Sequence, residues 1–86
     1  MSEEVTNEVS DLEVAQGLLQ GFIESGDTDN EDGMVVELIQ NGFKFTQAAR
    51  LMKQVLEAGG FRVSAKERYS AAEELLMSWT FAPESW

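Results

Sequence analysis

The carboxylate-rich run at residues 27–33 contains the side chains best suited to hold a metal ion. It reads Asp-Thr-Asp-Asn-Glu-Asp-Gly, and hard oxygen ligands of this kind suit calcium. A calcium loop of the EF-hand type requires a glycine at its sixth position and a glutamate at its twelfth. If Gly33 takes the sixth position, Ile39 takes the twelfth, and a loop that starts at Asp27 places Leu38 there. Because neither register supplies the glutamate, the sequence predicts a solvated loop and a helix N-terminus with no metal.

Histidine and cysteine do not occur among the 86 residues. Zinc, iron–sulfur and haem sites of ordinary type are therefore excluded, and so is nucleophilic catalysis by cysteine or by a histidine-activated hydroxyl. Two carboxylates can act as general acid and base in a cleft, but position singles out none of the 16 acidic residues. We therefore expect a protein that is not an enzyme and binds no cofactor.

The acidic residues are concentrated in the first half of the chain. The formal net charge is -10, and residues 1–37 include no lysine or arginine. A predicted partner-binding acidic face comprises Glu24, Asp27, Asp29, Glu31, Asp32 and Glu37. Such a face suits a basic groove on another protein, because complementary charge speeds the encounter and selects the partner. In size and charge the chain is similar to small acidic phage or plasmid proteins that inhibit nucleic-acid enzymes.

All the cations lie in one segment, residues 44–68, which suggests nucleic acid as an alternative partner. They are Lys44, Arg50, Lys53, Arg62, Lys66 and Arg68. Residues 37–68 resemble the tri-helical region of helix-turn-helix proteins, and Gly-Phe-Arg-Val-Ser at 60–64 is similar to the turn into a recognition helix of resolvase-like domains. The resemblance implies a DNA-binding transcriptional regulator in which Ser64, Lys66 and Arg68 face the nucleic acid. The net negative charge opposes this interpretation, and the same cations could instead pair with acids on the first two helices.

Three aromatic residues lie near the C-terminus, namely Trp79, Phe81 and Trp86. They can pack back onto the domain, or Trp86 can anchor an interface, since aromatic side chains are enriched there. The second interpretation leads to another alternative function, a subunit of a homodimer or larger homo-oligomer.

Four helices are predicted from apolar spacing and capping signals. They cover about residues 11–24, 30–41, 47–58 and 65–79, with capping residues at Ser10, Thr28, Thr46 and Ser64. The third helix is predicted to be central, because apolar residues cover much of its circumference. Residues 38–46 and 56–64 align without gaps at an offset of 18 residues. Each copy predicts a helix end, a glycine stop and a hydroxyl cap that starts the next helix.

These elements predict an all-α fold in a single compact domain of about four short helices with glycine-containing turns, including corners like those of helix-turn-helix proteins. Residues 1–9 are predicted as a flexible acidic arm, and residues 10–86 as the domain. Because no apolar run is long enough to span a membrane, the expected location is cytoplasmic. The predicted core contains Leu19, Phe22, Leu38, Leu51, Val55, Phe61, Leu76 and Trp79.

Overall fold

The second helix of the chain lies at the centre of the fold. The computed structural model describes the backbone of residues 3–78 and the side chains of residues 11–78. Within that range the chain forms α1 (Glu3–Glu24), α2 (Glu31–Gln40), α3 (Phe45–Ala58) and α4 (Ser70–Met77), without a strand. Helix α2 contacts each of the other three helices, whereas α3 packs mainly against α1 and α2. The predicted all-α fold in one compact domain is confirmed.

The core is formed by apolar side chains from all four helices. Five predicted core residues are buried: Leu19, Leu38, Leu51, Val55 and Leu76. Phe22 is partly buried against them. Phe61 is 36% exposed, so its assignment to the core is wrong. The predictions for Trp79, Phe81 and Trp86 fall outside the described residues.

Helix α3 is amphipathic, which explains why the prediction of a central α3 is wrong. Thr46, Arg50, Gln54 and Glu57 are all exposed. Residues at this spacing share one side of a helix, so one side of α3 faces solvent. Helix α2 instead buries its apolar residues and also buries Glu31 at its first position.

Helix α1 begins earlier than its capping signal predicts. It starts at Glu3, so the predicted start after Ser10 is wrong, and residues 3–9, predicted as a flexible arm, continue the same helix. Gly17 and Gly21 lie within α1, and a Cβ added at either would meet no atom within 4 Å. These glycines therefore serve no close helix packing among the described residues.

The caps of α2 and α3 also differ from those predicted. Asn30, rather than Thr28, caps α2, and its Oδ1 accepts a hydrogen bond from the N–H of Gly33 at 3.1 Å. Helix α3 begins at Phe45 without a side-chain cap, so Thr46 lies in its first turn. The bounds of α2 and α3 still agree with the prediction to within two residues.

The fourth helix is much shorter than predicted. Residues 61–69 follow α3 as an irregular segment, which we call the strap, and α4 begins only at Ser70. The predicted start of a helix after Ser64 is wrong. The strap ends at Tyr69, which is fully buried and packs edge-on against Phe45 with ring centroids 6.1 Å apart.

The two aligned segments, residues 38–46 and 56–64, share the same structure only at the helix end that each contains. At the end of α2 the N–H of Phe43 donates to the carbonyl of Leu38 at 3.2 Å. At the end of α3 the N–H of Phe61 donates to the carbonyl of Leu56 at 2.9 Å. Both ends form the same closing turn, after which the first copy enters α3 and the second enters the strap.

None of the described helices is long and apolar enough to cross a membrane.

Candidate functional site

The turn between α1 and α2 carries several carboxylates within a few residues of one another. The N–H of Asp27 donates to the carbonyl of Phe22 at 2.8 Å and so closes the end of α1. The side chain of Asn30 then caps α2 and donates through Nδ2 to Asp27 at 3.3 Å. This short connection is fixed by local hydrogen bonds. The carboxylates it carries are thus presented from a defined backbone.

Four of the six predicted acidic residues form what we call the acidic corner: Glu24, Asp27, Asp29 and Glu37. The first three are exposed and Glu37 is half-buried. Their side-chain partners are neutral amides: Glu24 accepts from Gln20 at 3.1 Å, and Glu37 accepts from Asn41 at 3.5 Å. Among the described side chains no ion pair involves the acidic corner. Its negative charge therefore remains available to a partner.

A shallow cleft between α1 and α2 gives the acidic corner an apolar floor. The cleft measures about 310 Å³ and is lined by Leu18, Gly21, Phe22, Ser25, Asp27 and Glu37. Two carboxylates and two partly buried apolar side chains thus share one surface depression, and no cation lines it. This arrangement suits an amphipathic partner segment that combines a cation with an apolar side chain.

The other two predicted acidic residues bind the chain's own strap. Glu31 is only 7% exposed. Its carboxylate accepts hydrogen bonds from the Ser64 hydroxyl at 2.7 Å and from the Ser64 N–H at 3.1 Å. Glu31 is therefore engaged inside the fold and does not belong to the exposed acidic corner.

Asp32 holds both the strap and the start of α4. Its Oδ1 lies 2.8 Å from the Lys66 ammonium, and its Oδ2 accepts from the N–H of Ala71 at 3.3 Å. The hydrogen bond from Lys66 lowers the pKa of Asp32, while the same contact raises the pKa of Lys66. Asp32 therefore provides from another helix the cap that α4 lacks locally, since Tyr69 offers no side-chain cap.

The strap also closes on itself and on α3. The carbonyl of Lys66 accepts from the Lys53 ammonium at 2.9 Å and from the Tyr69 hydroxyl at 3.1 Å. The Lys66 ammonium lies 5.3 Å from the centre of the Tyr69 ring, within the range of a cation–π contact. Burial raises the pKa of Tyr69.

The six predicted nucleic-acid-binding cations are not presented as one surface on a recognition helix. Lys66 pairs with Asp32, and Arg68 pairs with Glu73 on α4 at 3.0 Å, which lowers the pKa of Glu73. Within residues 11–78 the remaining four form no ion pair: Lys44, Arg50, Lys53 and Arg62. Ser64, Lys66 and Arg68 lie in the irregular strap, where the helix-turn-helix resemblance implies a helix.

A second cleft brings the strap next to the acidic corner. It measures about 300 Å³ and is lined by Thr28, Asp29, Glu31, Arg62, Ser64 and Lys66. Asp29 of the acidic corner thus lines the same depression as two strap cations. Sequence reasoning missed this arrangement. The sequence does show two carboxylates in the first turn of α2. It does not indicate which distant hydroxyl and ammonium would bind them.

No group of three or more acidic side chains among the described residues is arranged to hold a metal ion. Glu31, Asp32 and Glu73 bind charged or hydrogen-bonding groups of the chain itself. What this arrangement can do is bind cations presented by another molecule.

Compared with protein-family models, with curated proteins and with solved structures, the chain gives no significant match.

Proposed function

We propose that this chain is a non-enzymatic, cytoplasmic interaction protein that regulates or inhibits a partner protein by binding its basic surface through the acidic corner. The observation that carries the proposal is the cleft in which Asp27 and Glu37 flank Leu18 and Phe22 with no cation among the lining residues. A partner lysine or arginine would meet the carboxylates while a neighbouring apolar side chain fills the floor.

Electrostatics supports this direction of binding. The net charge of -10 attracts a basic surface from a distance, and the acidic corner then sets the orientation of docking. Charge at the rim of an interface acts mainly on the association rate and makes that rate sensitive to salt. The encounter is therefore expected to be fast at low ionic strength and to slow as salt is added.

The basic segment supports DNA binding less well than the acidic corner supports protein binding. Lys66 and Arg68 are paired within the chain, and Ser64 is bonded to Glu31. Nucleic-acid affinity depends on cations that are free to meet phosphate.

The test is capture of the partner from lysate of the source organism, with and without nuclease, by wild-type protein and by two neutralised variants. The corner variant carries Asp27→Asn, Asp29→Asn and Glu37→Gln. The matched control carries Glu13→Gln, Glu57→Gln and Glu74→Gln, three exposed carboxylates on other surfaces. Both variants change the net charge equally, so only the position of the charge differs between them.

Mass spectrometry should identify a protein with a basic surface that wild type and control capture and that the corner variant does not. Equal capture by both variants would contradict the proposal. Capture that disappears with nuclease would favour the basic segment and DNA instead.

A further inference from the structure

The strap has the sequence of a helix start but does not form one. Ser64-Ala65-Lys66-Glu67 is a capping box, in which the serine caps the helix and the glutamate accepts from the serine N–H. In the structure that N–H donates to Glu31 instead. Glu31 and Glu67 are thus alternative acceptors for one donor.

A longer fourth helix is compatible with the core. Tyr69, Ala72 and Leu76 are fully buried, and their spacing places them on one side of a helix. Extending α4 towards Ala65 would keep Tyr69 on that side. Because α4 already exists, the extension needs no costly nucleation and adds roughly one hydrogen bond for each residue that joins. The strapped form is therefore maintained by its contacts with α2, together with the bonds that the Lys66 carbonyl accepts from Lys53 and Tyr69, against the local helix signal.

The groups that hold the strap have the chemistry expected of a bound partner. The hydroxyl and the backbone N–H of Ser64 donate to Glu31, and the ammonium of Lys66 pairs with Asp32. Asp29 of the acidic corner lines the same cleft as those groups. A basic partner docked at the corner would therefore compete with Ser64 and Lys66 for Glu31 and Asp32.

We propose that the strap is an autoinhibitory contact, which a basic partner displaces from Glu31 and Asp32 so that residues 65–69 join α4 as helix. The proposal rests on the proposed function, because it concerns the regulation of the same acidic surface. It predicts two conformations of one segment, whose balance is set by competition for two carboxylates.

The first test asks whether the strap can become helical without a partner. Ser64→Asp keeps a strong helix cap and places a second carboxylate beside Glu31, so it favours the helix and disfavours the strap. Thr46→Asp is the matched control, because Thr46 is the equivalent residue of the first sequence copy and is exposed in the first turn of α3. NMR Cα shifts of residues 65–69 should become helical in S64D and remain as in wild type in T46D. Unchanged shifts in S64D, with the rest of the spectrum native, would overturn the proposal.

The second test titrates wild-type protein with hexalysine at low salt and follows backbone shifts. Shifts should change at the acidic corner, and those of residues 64–69 should move towards the values seen in S64D. Changes at the corner that leave residues 64–69 as they were would overturn the autoinhibition while leaving the proposed function intact. Failure of the proposed function gives a different result, namely no change at Asp27, Asp29 and Glu37.

Discussion

Glu31 shows how one buried carboxylate can organise a segment distant in sequence. It accepts two hydrogen bonds from Ser64 and is 7% exposed. Hydrogen bonds to a charged group contribute about 1.5–3 kcal/mol to stability. We expect Glu31→Ala to lower the free energy of unfolding by about 1.5–3 kcal/mol, measured by urea denaturation. Glu24→Ala, which removes an exposed carboxylate, is the control and should change stability by less than about 0.5 kcal/mol. Equal effects of the two substitutions would show that Glu31 does not hold the strap.

Asp32 makes stability depend on pH. The hydrogen bond from Lys66 lowers its pKa in the folded state below the ordinary value of 3.8. The unfolded chain therefore binds the proton more readily, so the stabilisation is complete above the ordinary value and is lost as pH falls through the lower folded pKa. Unfolding free energies measured between neutral pH and the acid range should fall less steeply for Asp32→Asn than for wild type. Asp29→Asn, at an exposed site, should follow wild type, and a D32N curve parallel to wild type would contradict the assignment.

At the scale of elements, the same closing turn ends α2 and α3, and a glycine makes it possible. Gly42 and Gly60 have φ values of 105° and 81°, in the region that a side chain disfavours. We expect Gly42→Ala and Gly60→Ala each to destabilise the fold by about 1–2 kcal/mol. Gly17→Ala lies in the interior of α1, where a Cβ meets nothing, and should stabilise by about 0.5–1 kcal/mol. Thermal denaturation should give a lower melting temperature for G42A and G60A and a higher one for G17A. A lower melting temperature for G17A would mean that α1 packs closely against another element at this glycine.

The elements also show which sequence signals are reliable. Apolar spacing correctly predicted α2, α3 and most of the core, because burial of an amphipathic face is a property of the segment itself. Serine and threonine residues predicted as helix caps did not mark where the helices begin. Ser10 lies inside α1, and Ser64 bonds to Glu31. A cap is a single hydrogen bond of about 1 kcal/mol, so a favourable tertiary contact can displace it, and local sequence does not encode that competition.

The predicted acidic face was divided by the same kind of competition. The sequence places six carboxylates within residues 24–37. In the structure four of them form the acidic corner, while Glu31 and Asp32 bind the strap. For the whole molecule, the strap pairs one cation, Lys66, with Asp32 and engages two carboxylates of the predicted acidic face. The exposed charge is thus still dominated by acids that no described ion pair compensates.

This excess of uncompensated negative charge predicts how the whole molecule responds to salt. Self-repulsion at a net charge of -10 destabilises the compact state, and added salt screens it. The described residues form two ion pairs, of Lys66 and of Arg68, and both cations are largely solvent-accessible, so screening these pairs costs little. Sodium chloride should therefore raise the melting temperature, whereas a fold held by its salt bridges would show a lower one.

The position of the repulsion can be tested with the variants used for partner capture. The corner variant neutralises Asp27 and Glu37, which line one cleft, and Asp29, which follows Asp27 by two residues, whereas the control removes charges on α1, α3 and α4. Repulsion falls with distance and is screened within about 10 Å at 0.1 M salt. The corner variant should therefore melt higher than wild type at low salt and gain less from added salt than the control does. An identical salt response in both variants would mean that the carboxylates of the corner act only through the total charge, and that their grouping around the cleft has no electrostatic consequence for the fold.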